Sequence, residues 1–169
     1  ENGGHALFLV DPPVSLGREE TSPNPALAKV LEGWGVTLNN DLALDTSGIG
    51  QIFGLSEVIP LVTSYESHAI VRDLKEVATC FPISRTLDVK SADKTSVEKL
   101  FSTSANSYAT TNLKSPEIRI DTKKDKKGPL TLAAAGTYNS KGRFVVVGSS
   151  GWIGNNFLRF NGNRDLFLN

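Results

Sequence analysis

The chain has 169 residues, no methionine, one cysteine and a formal net charge of zero. Balanced charge argues against a general nucleic-acid or anionic-membrane surface, and a single cysteine excludes an internal disulfide. No apolar run reaches the ~20 residues that a membrane-spanning helix needs. The length is that of one domain with a sizeable core, so residues 1–169 are interpreted as a single domain.

The first predicted elements are a strand and a helix. Ala6–Val10 is a short apolar run that ends at a polar turn, which is typical of a buried strand. Asn2-Gly3-Gly4 before it is typical of the end of a helix. We therefore expect the chain to be a fragment, truncated at its N-terminus. Asn24 and Pro25 predict the cap and first residue of a helix that continues to Trp34.

Short strands dominate the middle of the chain, and a hairpin is expected near its end. Strand-like runs are predicted at Val36–Leu38, Leu42–Leu44, Ile52–Phe53, Val58–Val62, Ala78–Ile83, Thr86–Val89 and Val97–Ser104. Thr131–Tyr138 and Arg143–Gly148 flank a tight turn, which predicts a β-hairpin. A final helix is expected within Trp152–Asn169.

Alternation of strands and helices predicts an α/β fold with three layers and a mainly parallel central sheet. Its core strands are expected at Ala6–Val10, Leu130–Ala135 and Phe144–Val147. Polar groups in such a sheet converge at the carboxyl ends of the strands. The candidate ligand or partner edge comprises Asp11, His68, Thr103, Ser104 and Ser149.

The order of several short motifs resembles a known family over nearly the whole chain. In chain order these motifs are Asn2-Gly3-Gly4, Asp11-Pro12, Leu27–Gly35, Tyr65–Ile70, Leu100–Ser104, Arg143–Ser149 and Asn161–Leu166. Together they resemble the soluble domain of the auxiliary component of bacterial ABC transport systems of the gliding-motility type. One departure is His68-Ala69, where the family tends to have His-Pro.

The resemblance implies a periplasmic, extracytoplasmic domain of a membrane-anchored protein, with the anchoring helices outside this region. It implies a flavodoxin-like or glutamine-amidotransferase-like fold, with a strand and a helix preceding Asn2-Gly3-Gly4. It also implies association with an ABC transporter permease or other membrane subunits, and no enzymatic activity. A homodimer stays open as a further form of association.

Relatives of amidotransferases are tested first for a nucleophile, because that chemistry needs a Cys on a sharp turn and a His base. Cys80 has no neighbouring glycine, and Pro82 keeps Phe81 extended, so a buried packing role is favoured. His5 and His68 cannot form a three-His metal site, and no metal or cofactor is expected. For His68, a hydrogen bond that fixes the local turn is favoured over ligand binding.

Two further features each have two interpretations, and a third has one. Asp11 either caps the following loop, which is favoured, or binds a metal or polar ligand. Gly148–Gly151 is either a tight strand-to-helix turn, which is favoured, or a phosphate-binding turn. Lys123–Lys127 is interpreted as a solvated loop that does not bind nucleic acid.

Two hypotheses for the function follow. The first is a non-catalytic interaction or ligand-sensing domain of an ABC transporter auxiliary component. The second is an amidotransferase-like enzyme or a small-ligand-binding α/β domain.

Overall fold

A computed structural model describes residues 3–16, 19–113 and 118–169. The described helices are α1 (Pro25–Gly33), α2 (Ile49–Ile52) and α3 (Asn163–Leu168), with short 3-10 turns at Arg72–Leu74 and Gly151–Ile153. The described strands are β1 (His5–Leu9), β2 (Ser15–Leu16), β3 (Glu19–Glu20), β4 (Val36–Leu38), β5 (Leu42–Asp45), β6 (Leu61–Val62), β7 (Thr79–Cys80), β8 (Leu87–Val89), β9 (Thr95–Ser102), β10 (Ser107–Thr110), β11 (Lys126–Lys127), β12 (Thr131–Tyr138) and β13 (Gly142–Val147).

The largest sheet has four strands in the order β1-β13-β12-β9. β1 runs parallel to β13, with His5 opposite Arg143 and Leu9 opposite Val147. β12 is antiparallel to both β13 and β9. The smaller sheets pair β10 with β5 and β11, β4 with β8, β2 with β3, and β6 with β7, all antiparallel.

The prediction of a three-layer, mainly parallel, flavodoxin-like or glutamine-amidotransferase-like sheet is wrong. The chain is mostly β, with 31% of residues in strands and 16% in helices, and its sheets are mixed or antiparallel. An apolar run signals that a strand is buried but does not encode its direction. The tight turn at residues 139–141 requires antiparallel neighbours, and the predicted hairpin of β12 and β13 is confirmed.

Individual elements follow the sequence signals more closely, with local corrections. α1 begins at Pro25 as predicted, but Asn24 adopts a left-handed φ of 49° and its side chain makes no capping hydrogen bond. The strand predicted at Ile52–Phe53 is wrong, because Ile52 is the last residue of α2. β7 is shorter than the predicted strand, since Pro82 lacks an N–H and Ile83 has a φ of 49°.

Two apolar clusters cover the two faces of the central sheet, because successive strand residues point to opposite sides. Val146 packs with Phe144, Leu31 of α1 and the half-buried Trp34 on one face. Val147 packs on the other face in a cluster of Phe81, Leu100, Phe101, Leu132, Trp152 and Leu166. Phe81 stacks on Phe101 with ring centroids 4.6 Å apart. No helix in the described part of the chain is long and apolar enough to cross a bilayer.

Candidate functional site at the strand ends

The parallel pairing of β1 and β13 brings the residues that follow these strands to one edge of the sheet. Asp11 Oδ1 accepts the N–H of Ser150 at 2.6 Å, and Asp11 Oδ2 accepts the Ser150 hydroxyl at 2.6 Å. The neighbouring Ser149 is fully buried and donates its hydroxyl to the Pro82 carbonyl at 2.6 Å. Asp11 and Ser149 therefore lie at the same edge, and both are fastened to other parts of the chain.

These bonds bear on whether Gly148–Gly151 can hold a phosphate. A phosphate-binding turn needs vacant backbone N–H groups and a positive local potential. The Ser150 N–H and hydroxyl already bind the Asp11 carboxylate, which also places negative charge there. The turn is therefore occupied by a carboxylate from its own chain. Both carboxylate oxygens of Asp11 bind Ser150, the residue directly before the 3-10 turn at Gly151–Ile153, and not the loop after β1 that Asp11 was expected to cap.

A fully buried arginine, which the sequence analysis did not identify, lies at the same edge. Arg85 has 0% of its surface exposed. Its Nε donates to the Asn39 carbonyl at 2.8 Å, its Nη2 to Asn40 Oδ1 at 2.7 Å, and its Nη1 to the Asp11 carbonyl at 3.3 Å. Its backbone N–H also donates to the Gly148 carbonyl at 2.8 Å. Arg85 thus ties the β4–β5 connection to the ends of β1 and β13.

The sequence holds a modest signal for this residue. Arg85 stands between two strand-like runs, with small or apolar residues on both sides from Phe81 to Leu87. A charged residue in such a position is either exposed at a turn or buried with partners, and sequence alone does not choose between them. The partners come from residues far away in the chain, so only the fold reveals them.

Burial also shifts the titration of the charged groups around Arg85. Desolvation lowers the pKa of the Arg85 guanidinium, while the nearby carboxylates of Asp41 and Asp11 oppose that shift. Desolvation raises the pKa of Asp41, while hydrogen bonds from Thr86 and the charge of Arg85 oppose it. Thr86 donates two hydrogen bonds to the Asp41 carboxylate, from its N–H at 2.8 Å and from its hydroxyl at 2.6 Å. We name Asp11, Asn40, Asp41, Arg85 and Ser150 the strand-end network.

Thr103 and Ser104 follow β9 at this edge of the sheet, but they bind a different set of groups. Thr103 Oγ1 accepts the Leu130 N–H at 2.9 Å and contacts the Ser107 hydroxyl. Ser104 donates its hydroxyl to Asp45 Oδ1 at 2.9 Å. Both residues line a hydroxyl-rich cavity of about 40 Å³. That volume suits a water molecule and is too small for a substrate.

His68 lies apart from the other four candidate residues. It lines a cleft of about 420 Å³ on the sheet face, together with Glu98 and with Arg143 near the start of β13. The carboxyl end of β13, where Ser149 follows, is the opposite end of that strand. His68 Nδ1 accepts the N–H of Ile70 at 3.2 Å, which fixes the local turn. The structure therefore places Asp11, Thr103, Ser104 and Ser149 at one edge and His68 elsewhere.

Cys80 lies in the interior of the domain. It is fully buried and packs with Leu55 and Leu61. Asn163 accepts its N–H at 2.9 Å and donates to its carbonyl at 3.1 Å. Burial raises the pKa of the Cys80 thiol to about 11, so the thiol is protonated at neutral pH. The hydrogen bonds of Cys80 go to Asn163 and that of the His68 ring goes to Ile70, so neither forms a nucleophile–base pair with the other.

We expect Cys80 to react slowly with a thiol reagent in the native chain. The thiol titrates near 11 instead of its ordinary 9.0, which lowers the thiolate fraction at pH 7 by about 100-fold, before burial slows reagent access. The labelling rate with 5,5′-dithiobis(2-nitrobenzoate) at pH 7 should therefore be at least about 100-fold lower than in guanidinium. Cys80→Ala should cost about 1 kcal/mol of stability through a small cavity. Fast stoichiometric labelling of the native chain would contradict this prediction.

The described residues contain no group of three or more His, Cys, Asp or Glu side chains that could hold a metal ion. The polar groups at the strand ends instead bind one another. The arrangement fixes loops to the sheet.

Comparison with known proteins gives the chain its family. No curated protein matches the sequence. The solved structure of the "mmIFT52 N-terminal domain" superposes with a TM-score of 0.66 and 16% sequence identity. The match covers 98% of this chain and 62% of that one; at this identity it shows similarity of fold alone. A family model described as "ABC-type uncharacterized transport system" matches residues 1–169. The chain therefore belongs to this family of ABC transport auxiliary components.

Proposed function

We propose that this chain is a non-catalytic interaction domain of an ABC transport system. The observation that carries the proposal is the closed state of the strand-end network, in which the carboxylates of Asp11 and Asp41 bind other parts of the same chain. A strand-end crevice that binds substrate needs polar groups free to meet it. The buried, protonated thiol of Cys80 further supports a role without covalent catalysis.

We also propose that the domain works on the extracytoplasmic side of the membrane, as part of a membrane-anchored protein in a system of the gliding-motility type. The motifs at Tyr65–Ile70, Leu100–Ser104 and Asn161–Leu166 support this proposal through their resemblance to that type. The partners on this view are the permease or other membrane subunits of the transporter. Family membership supports association with transporter components.

One exposed apolar turn suits a partner contact. Ile52 in α2 is 82% exposed, and its neighbours Ile49 and Phe53 are about half exposed. Residues 46–56 carry no charge. The turn is held in place, since Phe53 meets Phe160 edge-to-face with centroids 6.0 Å apart. Clusters of exposed large apolar side chains are typical of interaction surfaces.

We expect the chain to bind the detergent-solubilised membrane subunits of its own transporter, measured by biolayer interferometry. Ile52→Asp should weaken that binding by about tenfold or more, because a central apolar contact becomes a buried charge. Val30→Asp is the matched control, since Val30 is similarly apolar, 48% exposed and lies in α1. Its affinity should stay within about twofold.

Two results would contradict the proposal. One is the absence of binding by the unmodified chain to any membrane subunit of the transporter. The other is release of ammonia from glutamine by the purified chain, abolished by Cys80→Ala, which would instead support the amidotransferase-like alternative.

A further inference from the structure

β1 forms one edge of the four-stranded sheet, with β13 as its neighbour. β13 donates an N–H to the carbonyl of Gly4, just before β1, at 3.1 Å and accepts the N–H of Val10, just after β1, at 2.9 Å. Successive strand residues direct their main-chain groups to alternate sides, so the N–H and C=O groups of His5, Leu7 and Leu9 point away from β13. Among the residues that the structure describes, no hydrogen bond reaches these outward groups.

β1 also lacks the features with which proteins protect an exposed sheet edge. Protected edges carry Lys or Pro, a bulge or a covering loop, because unpaired main-chain groups recruit a further strand. His5–Leu9 contains no Lys, Arg, Asp, Glu or Pro, and its register with β13 is regular. Leu7, at the centre of the strand, is 49% exposed. This edge is therefore available to another strand.

The opposite edge of the same sheet, β9, is protected. The N–H of Glu66 donates to the Leu100 carbonyl at 2.9 Å, and the Ser91 hydroxyl accepts the N–H of Val97 at 3.0 Å. The exposed side chain of Lys99 adds a charge within the strand. Loops and charge thus hinder pairing at β9, and strand addition to this sheet is favoured at β1.

A second copy of this chain can pair all the outward groups of β1. Two identical edges meet about a two-fold axis, which makes the two strands antiparallel. With Leu7 on that axis, Leu7 faces Leu7 of the second copy, and His5 faces Leu9. Facing residues of this kind exchange both of their main-chain hydrogen bonds, so every outward N–H and C=O of the two strands gains a partner.

The charges beside β1 also suit this arrangement. Arg143 lies opposite His5 in β13, and Asp11 follows Leu9 by two residues. Antiparallel pairing brings the Arg143 end of one copy next to the Asp11 end of the other. Opposite charges at matching ends of an interface favour association and fix its register.

We propose that β1 pairs with β1 of a second copy of this chain, which joins the two four-stranded sheets into one continuous sheet in a homodimer. Main-chain hydrogen bonds supply the affinity in this mode of recognition. The assembly stops at two copies, because the outer edges of the joined sheet are the protected β9 strands. The surface is separate from the apolar turn of α2, so the dimer and the contact with a transporter subunit are tested independently.

Sedimentation velocity of the purified chain tests the proposal. We expect a dimer with twice the 18.2 kDa mass of the chain. Leu7→Lys places like charges directly opposite each other and should weaken self-association by about tenfold or more. Ile52→Lys is the matched control, since it changes an apolar side chain of α2 that is 82% exposed, and it should leave the dimer unchanged.

A charge swap tests the register of the two strands. Leu7→Lys and Leu7→Asp should each be monomeric at a concentration where the unmodified chain dimerises, and an equimolar mixture should dimerise because Lys then faces Asp. In the unmodified chain, deuterium exchange at the main-chain N–H groups of Leu7 and Leu9 should slow as the protein concentration rises.

Three results would each overturn the proposal. The first is an unmodified chain that stays monomeric at millimolar concentration, including one whose β1 pairs only with an extended segment of a transporter subunit. The second is a dimer that Leu7→Lys does not weaken. The third is a mixture of the two charged variants that does not associate.

Discussion

Arg85→Met is expected to lower the free energy of unfolding by about 3–5 kcal/mol, the range seen when one partner of a buried charge network is removed. The substitution leaves the Asp41 carboxylate, which is only 5% exposed, without the nearby positive charge. It also leaves the carbonyls of Asn39 and Asp11 without their side-chain donor. Urea denaturation followed by circular dichroism measures the change.

Two companion variants sharpen this test. Arg159→Met removes an exposed arginine and should change stability by less than about 0.5 kcal/mol. Arg85→Lys keeps the charge but loses the planar fork that reaches Asn39, Asn40 and Asp11 together, so it should recover only a small part of the loss. A loss below about 1 kcal/mol for Arg85→Met would show that the network is not important for stability.

Gly148→Ala is expected to destabilise the domain by about 3 kcal/mol, the upper end for overpacking a closed site. An added Cβ would lie 2.1 Å from the carbonyl oxygen of Arg85 and 3.1 Å from its Cγ. The backbone has little freedom to move away, because the Arg85 N–H donates to the Gly148 carbonyl at 2.8 Å. A shift of the backbone at Gly148 would also strain the hydrogen bond between Ser150 and Asp11, because Ser150 follows Gly148 by two residues.

The control for this substitution is Gly33→Ala. Gly33 is the last residue of α1, and an added Cβ would meet nothing within 4 Å. Because Ala has the higher helix propensity, stability should stay unchanged or rise by up to about 1 kcal/mol. Thermal melts of the two variants give the comparison. Equal melting temperatures for Gly148→Ala and the unmodified chain would contradict the close contact with Arg85.

Local signals in the sequence predicted many elements and missed their arrangement. Pro25 fixed the start of α1, and the turn at residues 139–141 fixed the hairpin of β12 and β13. Strand direction and strand partners are not local properties of the sequence. The sheet that we expected to be parallel is therefore mixed, and β1–β13 is the one parallel pair among its four described strands. Ile52 shows a further limit, since β-branched residues also occur in short helices such as α2.

The candidate site was predictable to the extent that it depends on strand ends. Asp11 and Ser149 both follow apolar strands, and the structure brings them to one edge. His68 was grouped with them through a motif, and a motif does not specify where a loop residue lies relative to the sheet. Arg85 was missed because burial of an arginine depends on acceptors from distant residues such as Asn39 and Asp11.

The parallel pair of β1 and β13 also constrains the order in which a ribosome can complete this domain. The Asp11–Ser150 hydrogen bond joins residues 139 positions apart in the chain. At a synthesis rate of about 5–20 residues per second, Ser150 is added to the chain roughly 7–28 s after Asp11. Until β13 has been made, β1 lacks the strand that pairs with it, so the apolar side chains of Phe8 and Leu9 remain without their final neighbours. β1 can therefore dock in the sheet only after β13 has been made, and until then it is a segment that chaperones can shield.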